Sequence, residues 1–84
     1  MKINFVVTTE DYEKSTKHIK DKETKERIKK QIKKIIENPE VGKPLTHDLK
    51  GERCVRIKPF RLIYTFDNDK LILLRFEHRK EAYK

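Results

Sequence analysis

Three stretches in the second half of the chain alternate their side chains with the period of two that a strand imposes, and cations recur on one side of each. Val55 and Ile57 oppose Cys54, Arg56 and Lys58. Leu62, Tyr64 and Phe66 oppose Arg61, Ile63 and Thr65. Ile72, Leu74 and Phe76 oppose Leu71, Leu73, Arg75 and Glu77. Only Pro59-Phe60 and the turn-forming Asp67-Asn68-Asp69 interrupt the run, and Asn68 is suited to a left-handed turn position. With Pro59-Phe60 as a hairpin loop, Lys58 faces Arg61, Val55 lies opposite Tyr64 and Ile57 opposite Leu62. With a three-residue turn at Asp67 to Asp69, Tyr64 meets Ile72, Leu62 meets Leu74 and Arg61 meets Arg75. A slip of one residue in any strand would bury Lys and Arg, so burial ties the register down.

This register sends Val55, Ile57, Leu62, Tyr64, Ile72, Leu74 and Phe76 inward. It leaves Arg56, Lys58, Arg61 and Arg75 on an open face, and Arg79 shares their parity. Like charges on neighbouring strands repel by about a few tenths of a kcal/mol per pair. Such crowding points to an anion-binding floor rather than to long side chains that merely cover the edge of a core.

The first half supplies what covers the other face. Lys2 to Thr8 alternates Ile3, Phe5 and Val7 with other residues and reads as a strand. Thr8 or Thr9 caps a short helix, with Glu10 and Asp11 at its positive end and Tyr12, Thr16 and Ile19 on its sparse apolar face. From Asp21 to Glu37, Ile28, Ile32, Ile35 and Ile36 form one stripe of a second helix, which Asp21 or Thr24 begins and Asn38-Pro39 ends. A tight connection near Lys20 makes the two helices a hairpin. Lys29-Lys30 and Lys33-Lys34 on that helix look like a nucleic-acid footprint, but the favoured reading is a solvated face, for which flanking Glu residues offer i,i+4 partners. Pro39 to Asp48 is an ordered loop, with Val41 and Leu45 docking on the core. The order is β-α-α-β-β-β, an α+β fold in which a helical hairpin packs on one face of a small antiparallel sheet.

Composition narrows the class. The chain has 84 residues, so residues 1–84 are expected to form one domain. Charged residues are 43% and apolar ones 35%, which leaves a thin core. Lys and Arg number 22 against 14 Asp and Glu, a formal charge of +8 that calls for an acidic partner such as nucleic acid. No apolar run reaches the roughly 20 residues of a membrane span, so no membrane partner is expected. The single cysteine, Cys54, excludes an internal disulfide framework and fits a cytoplasmic protein. His18, His47 and His78 stand apart without metal-ligand spacing, and nothing pairs with Cys54 as a nucleophilic dyad. No metal and no cofactor are expected.

The element order, Leu49-Lys50-Gly51 followed by Val55-Arg56-Ile57-Lys58, Phe60-Arg61-Leu62-Ile63-Tyr64, and the ending His78-Arg79-Lys80-Glu81-Ala82-Tyr83 resemble the RelE toxins of the RelE/ParE toxin–antitoxin superfamily. The likeness spans essentially the whole chain. It implies a RelE-like fold and a type II toxin that cuts messenger RNA in the ribosome without a metal, the RNA 2′-hydroxyl attacking the neighbouring phosphate. It also implies a RelB-like antitoxin as partner. The family's site positions carry over to Arg56, Lys58, Arg61, Arg79 and Tyr83, with Lys58, Arg61, Arg79 and Tyr83 expected to be catalytic and Arg56 to bind RNA phosphate. Arg75 belongs to no family motif and is expected to support phosphate binding, and His78 is a secondary candidate. Arginines suit phosphate charge but not proton transfer. Proton transfer falls to Lys58 and Tyr83, with the acid and base roles open between them. Arg56 stands where some members carry Lys, and the Arg79–Tyr83 spacing is shorter than in some. Two other functions are compatible with the sequence: a non-catalytic ParE-like toxin that inhibits gyrase, and a basic RNA- or ribosome-binding module.

Overall fold

Thr9 starts the first helix as the sequence requires. Its hydroxyl accepts the Tyr12 N–H at 3.1 Å and donates to the Leu74 carbonyl, joining the cap to the sheet. The computed structural model describes residues 2–45 and 51–78. Strand β1 (Phe5–Thr8) leads through Thr9 into α1 (Glu10–Lys17), whose first turn carries Glu10, Asp11 and Glu13 against the helix dipole. Asp21 caps α2 (Lys22–Glu37). Its carboxylate accepts both the backbone N–H and the hydroxyl of Thr24, at 3.0 and 2.6 Å. Asn38 is extended, Pro39 follows, and the helix ends there.

After α2 come β2 (Lys43–Pro44), β3 (Arg53–Ile57), β4 (Phe60–Asp67) and β5 (Lys70–His78). The sheet order is β1-β5-β4-β3-β2. Neighbours β2 to β5 are antiparallel, while β1 lies parallel to β5, so the sheet is mixed and has five strands. The two-residue β2 falls within the expected loop and pairs only with Cys54 and Arg53.

The expected faces are right on β3 and β4, but both registers differ. The β3–β4 hairpin turns on Lys58-Pro59, so Phe60 is a strand residue opposite Ile57, and Val55 faces Leu62. A two-residue shift leaves every side chain on its expected face. Phe60 gains by joining the strand, because its ring stacks on Phe76 at 4.8 Å. The β4–β5 turn is Asn68-Asp69, shorter than expected by one residue, with Asn68 at φ 55°. Tyr64 therefore faces Leu73 and Phe66 faces Leu71. An irregularity beside Ile63/Tyr64 leaves Leu74 as the extra residue and returns Phe76 to a position opposite Leu62. Leu71 and Leu73 are thus buried in place of Ile72 and Leu74.

Helix α1 packs over β5 and α2 over β3. Between helices and sheet lie Ile3, Tyr12, Ile28, Ile35, Val55, Ile57, Leu62, Tyr64, Leu71, Leu73 and Phe76, with Ile19, Ile32 and Ile36 at the margin. Phe5 and Val7 do not join Ile3 in that core, because β1 is an edge strand and all four of its residues are exposed. Val41 is likewise exposed rather than docked. The loop is anchored instead by the buried Tyr64 hydroxyl, which donates to the Pro39 carbonyl at 2.6 Å and accepts the Gly42 N–H at 2.9 Å. No described helix is long and apolar enough to cross a membrane.

Candidate active site

On the face away from the helices, pairing places Arg56, Arg61 and Glu77 in one row across β3, β4 and β5. The next row is Cys54, Ile63 and Arg75. Three of the expected cations, Arg56, Arg61 and Arg75, are therefore gathered on one side of the sheet. Lys58 sits in the hairpin turn just past the last rung, Ile57–Phe60, and is exposed. Its carbonyl accepts the Arg27 guanidinium of α2 at 2.8 Å, which holds the turn to the helix layer.

The floor is not a bare field of positive charge. Arg61 was expected to face Arg75; the shorter turn and the extra Leu74 place it opposite Glu77 instead. Nε and Nη2 of Arg61 both donate to Glu77 Oε1 at 3.3 Å. The other carboxylate oxygen of Glu77 lies 3.9 Å from Arg75 Nε. Arg75 Nη2 donates to Glu52 at 2.6 Å. Arginine and carboxylate thus alternate in the sequence Arg61, Glu77, Arg75, Glu52, each half-buried. The pairing offsets like-charge repulsion and fixes both guanidinium planes before any ligand arrives. Exposed Arg56 carries no such carboxylate among the described residues.

His78 ends β5 opposite Phe60, and its ring stands edge-on to the Phe60 ring at 5.3 Å. That contact places it toward the Phe60–Phe76 side, apart from the Arg56–Arg61 row. Arg79 and Tyr83 lie outside the described residues, as does His47. Arg53 belongs to the scaffold: its Nη1 donates to the carbonyls of Glu40 and Gly42. Sequence reasoning missed Glu77 and Glu52 as members of the site. The parity of Glu77 with Arg75 was legible, but its pairing with Arg61 depends on the irregularity in the ladder.

The family model for the ParE toxin of type II toxin–antitoxin systems, parDE, matches residues 6–83. The chain belongs to this family. No curated protein sequence matches it. Among solved structures, this ParE-family chain superposes on the YoeB–YefM complex from Staphylococcus aureus with a TM-score of 0.79 at 20% identity, covering 93% of this chain and 98% of that one. YafQ from E. coli gives 0.77 at 18% identity, with 94% and 97% covered. The toxin–antitoxin complex RelBE2 from Mycobacterium tuberculosis gives 0.75 at 24% identity, with 89% and 96% covered. The RelE/ParE membership and the α+β fold expected from the sequence are borne out. The family description carries the ParE name and the similar structures carry the names YoeB, YafQ and RelBE2. Their shared fold does not select an activity, so the choice rests on the side chains of the open face.

Proposed function

We propose that this toxin is a metal-independent endoribonuclease that cuts messenger RNA on the ribosome and so stops translation. The observation that carries the reading is the row of Arg56 and Arg61 with Arg75 beside it, two of the three guanidiniums held in place by carboxylates. In the reaction the O2′–P bond forms while the P–O5′ bond breaks, leaving a cyclic phosphate and a 5′-hydroxyl. One proton leaves the 2′-hydroxyl and another reaches the departing 5′-oxygen. Charge grows on the nonbridging oxygens, where preorganised guanidiniums are most effective. Arg61 is assigned to that charge, with Arg56 and Arg75 steering the strand. The proton carriers are Lys58 and Tyr83, and Arg79 adds a further cation; these assignments rest on the family resemblance. His78 remains a secondary candidate. A cytoplasmic location and a partner antitoxin of RelB type complete the reading. The similar YoeB–YefM and RelBE2 toxin–antitoxin complexes, together with the +8 charge of this chain, support an antitoxin partner with an acidic segment.

The test is to add the protein to translating ribosomes and map messenger ends, comparing wild type with Arg61→Ala and Arg79→Ala. Cuts phased to the reading frame are expected, reduced about 10²- to 10³-fold when one charge-stabilising donor is removed. Intact messenger with the wild-type protein overturns the reading. A second reading, non-catalytic gyrase inhibition, is favoured by the ParE name of the matching family. It predicts intact messenger together with blocked DNA supercoiling.

A further inference from the structure

Helix α2 brings a second group of cations to the edge of the sheet. Arg27, Lys30, Gln31 and Lys34 line a cleft of about 100 Å³ against Arg56 and Ile57 of β3. The short β2 pairs only with the start of β3, so among the described residues no strand pairs with the outer edge of β3, the side away from β4, from Val55 to Ile57. The hydrogen bond from Arg27 to the Lys58 carbonyl ties one end of the cleft to the hairpin turn. Glu23 and Glu26 precede Arg27 and Lys30 by one helical turn, the spacing that favours ion pairs. Yet among the described residues no carboxylate lies within 4.0 Å of a cation of α2, although Asp21 at the helix start interacts electrostatically with Arg27.

We propose that this cleft binds backbone phosphates of an RNA strand, continuing from the open face by way of Arg56. Arg56 is common to both places: it stands in the row with Arg61 and it lines the cleft. Lys30 and Lys34 lie about 6 Å apart along the helix axis, which lets them meet separate phosphates of one strand. The chemistry of the lining favours phosphate over an acidic protein segment. Ile57 is the one apolar lining residue and is itself 1% exposed, so the cleft has no pocket for the apolar anchors that secure a protein partner. The inference rests on the reading that the toxin acts on RNA, and it extends that reading from Arg56 to the cations of α2, which lie outside the expected site residues.

The experiment compares the double substitution Lys30→Gln/Lys34→Gln with Lys14→Gln/Lys17→Gln, an equal change of net charge on α1. Gln keeps nearly the helix propensity of Lys, so both variants retain their helices. Binding is measured by fluorescence anisotropy with a labelled single-stranded RNA, made non-cleavable by 2′-deoxy substitution, over about 50 to 200 mM salt. Loss of two phosphate contacts lowers the slope of log affinity against log salt by about 1.4 in the α2 variant, and the α1 variant keeps the wild-type slope. A second arm follows co-sedimentation with ribosomes. If only that arm responds, and only to the α2 variant, the phosphates belong to ribosomal RNA rather than to the messenger. Equal behaviour of the two variants in both arms overturns the proposal. So does a defect confined to capture of the antitoxin, which would assign the cleft to an acidic protein. Because the probe cannot be cut, a wild-type protein that leaves messenger intact defeats the ribonuclease reading without deciding this one.

Discussion

Arg61 and Glu77 face each other across β4 and β5, and both Nε and Nη2 of the arginine donate to one carboxylate oxygen. The second oxygen of Glu77 faces Arg75. A single acid thus orients two cations on a face that would otherwise repel itself. The arrangement also sets up a competition, since a phosphate that engages Arg61 does so in the presence of Glu77.

Glu77→Gln separates these two effects. The amide keeps the shape but loses the charge, so the open face becomes more positive. Affinity for a non-cleavable RNA rises at low salt, and the gain shrinks as salt screens the field. The ion pairs are partly exposed, so the stability loss is at most about 1 kcal/mol. Anisotropy titrations and thermal melts check both. Weaker RNA binding in a folded variant contradicts a carboxylate that competes with phosphate.

The ladder irregularity gives a sharper test of the register. Leu73 is 1% exposed and faces Tyr64, whereas Leu74 is the half-buried extra residue. Leu73→Ala is expected to cost about 2–5 kcal/mol in unfolding free energy, the range for a truncated core leucine. Leu74→Ala costs about 1 kcal/mol, as for a partly exposed site. Denaturant unfolding of the two variants orders them, and the reverse order restores the register in which Leu74 points inward.

That contrast shows where the sequence was legible. The spacing of Ile28, Ile32, Ile35 and Ile36 has one physical solution, and the observed helix buries Ile28 and Ile35. Arg56 and Arg61 were placed on the open face despite a wrong hairpin loop, because a two-residue shift preserves sides. Leu71-Ile72-Leu73-Leu74 carries no alternation at all, so either parity buries leucine and only the turn length decides. The Arg61–Glu77 pairing inherits that ambiguity. Val41 was expected on the core because it is apolar, but the need to satisfy the Tyr64 hydroxyl placed Pro39 and Gly42 there instead.

The Gly42 position follows from that hydroxyl. A Cβ at Gly42 would lie 2.5 Å from Tyr64 Oη and 2.7 Å from its Cε1. Gly42→Ala therefore forces the ring or the loop to move, at about 1–3 kcal/mol. Tyr64→Phe leaves the Gly42 N–H and the Pro39 carbonyl without their partner, at about 1–3 kcal/mol. The double variant loses less than the sum, because phenylalanine removes the closest overlap. Strict additivity in a denaturation cycle would show that the two residues do not meet.

The same tyrosine, together with Tyr12, contributes to the alkaline limit of stability. Burial pushes the Tyr64 phenol above its ordinary value of 10.0, opposed by the Gly42 N–H and the Arg53 guanidinium; burial also raises Tyr12. A group with a raised folded-state pKa binds its proton more tightly when folded. Its contribution is complete below the unfolded value near 10.0 and is lost as pH rises through the higher folded value. Asp21 behaves in the opposite sense: the hydroxyl and backbone N–H of Thr24 hold its carboxyl below 3.8, so its contribution is present above that value and lost as pH falls through the folded one. Melting temperature followed against pH should therefore drop beyond about pH 10, the unfolded tyrosine value. Tyr64→Phe and Tyr12→Phe each flatten that alkaline limb while leaving the acid limb in place, and Asp21→Asn does the reverse. An alkaline limb equally steep in Tyr64→Phe and Tyr12→Phe would trace the transition to other groups.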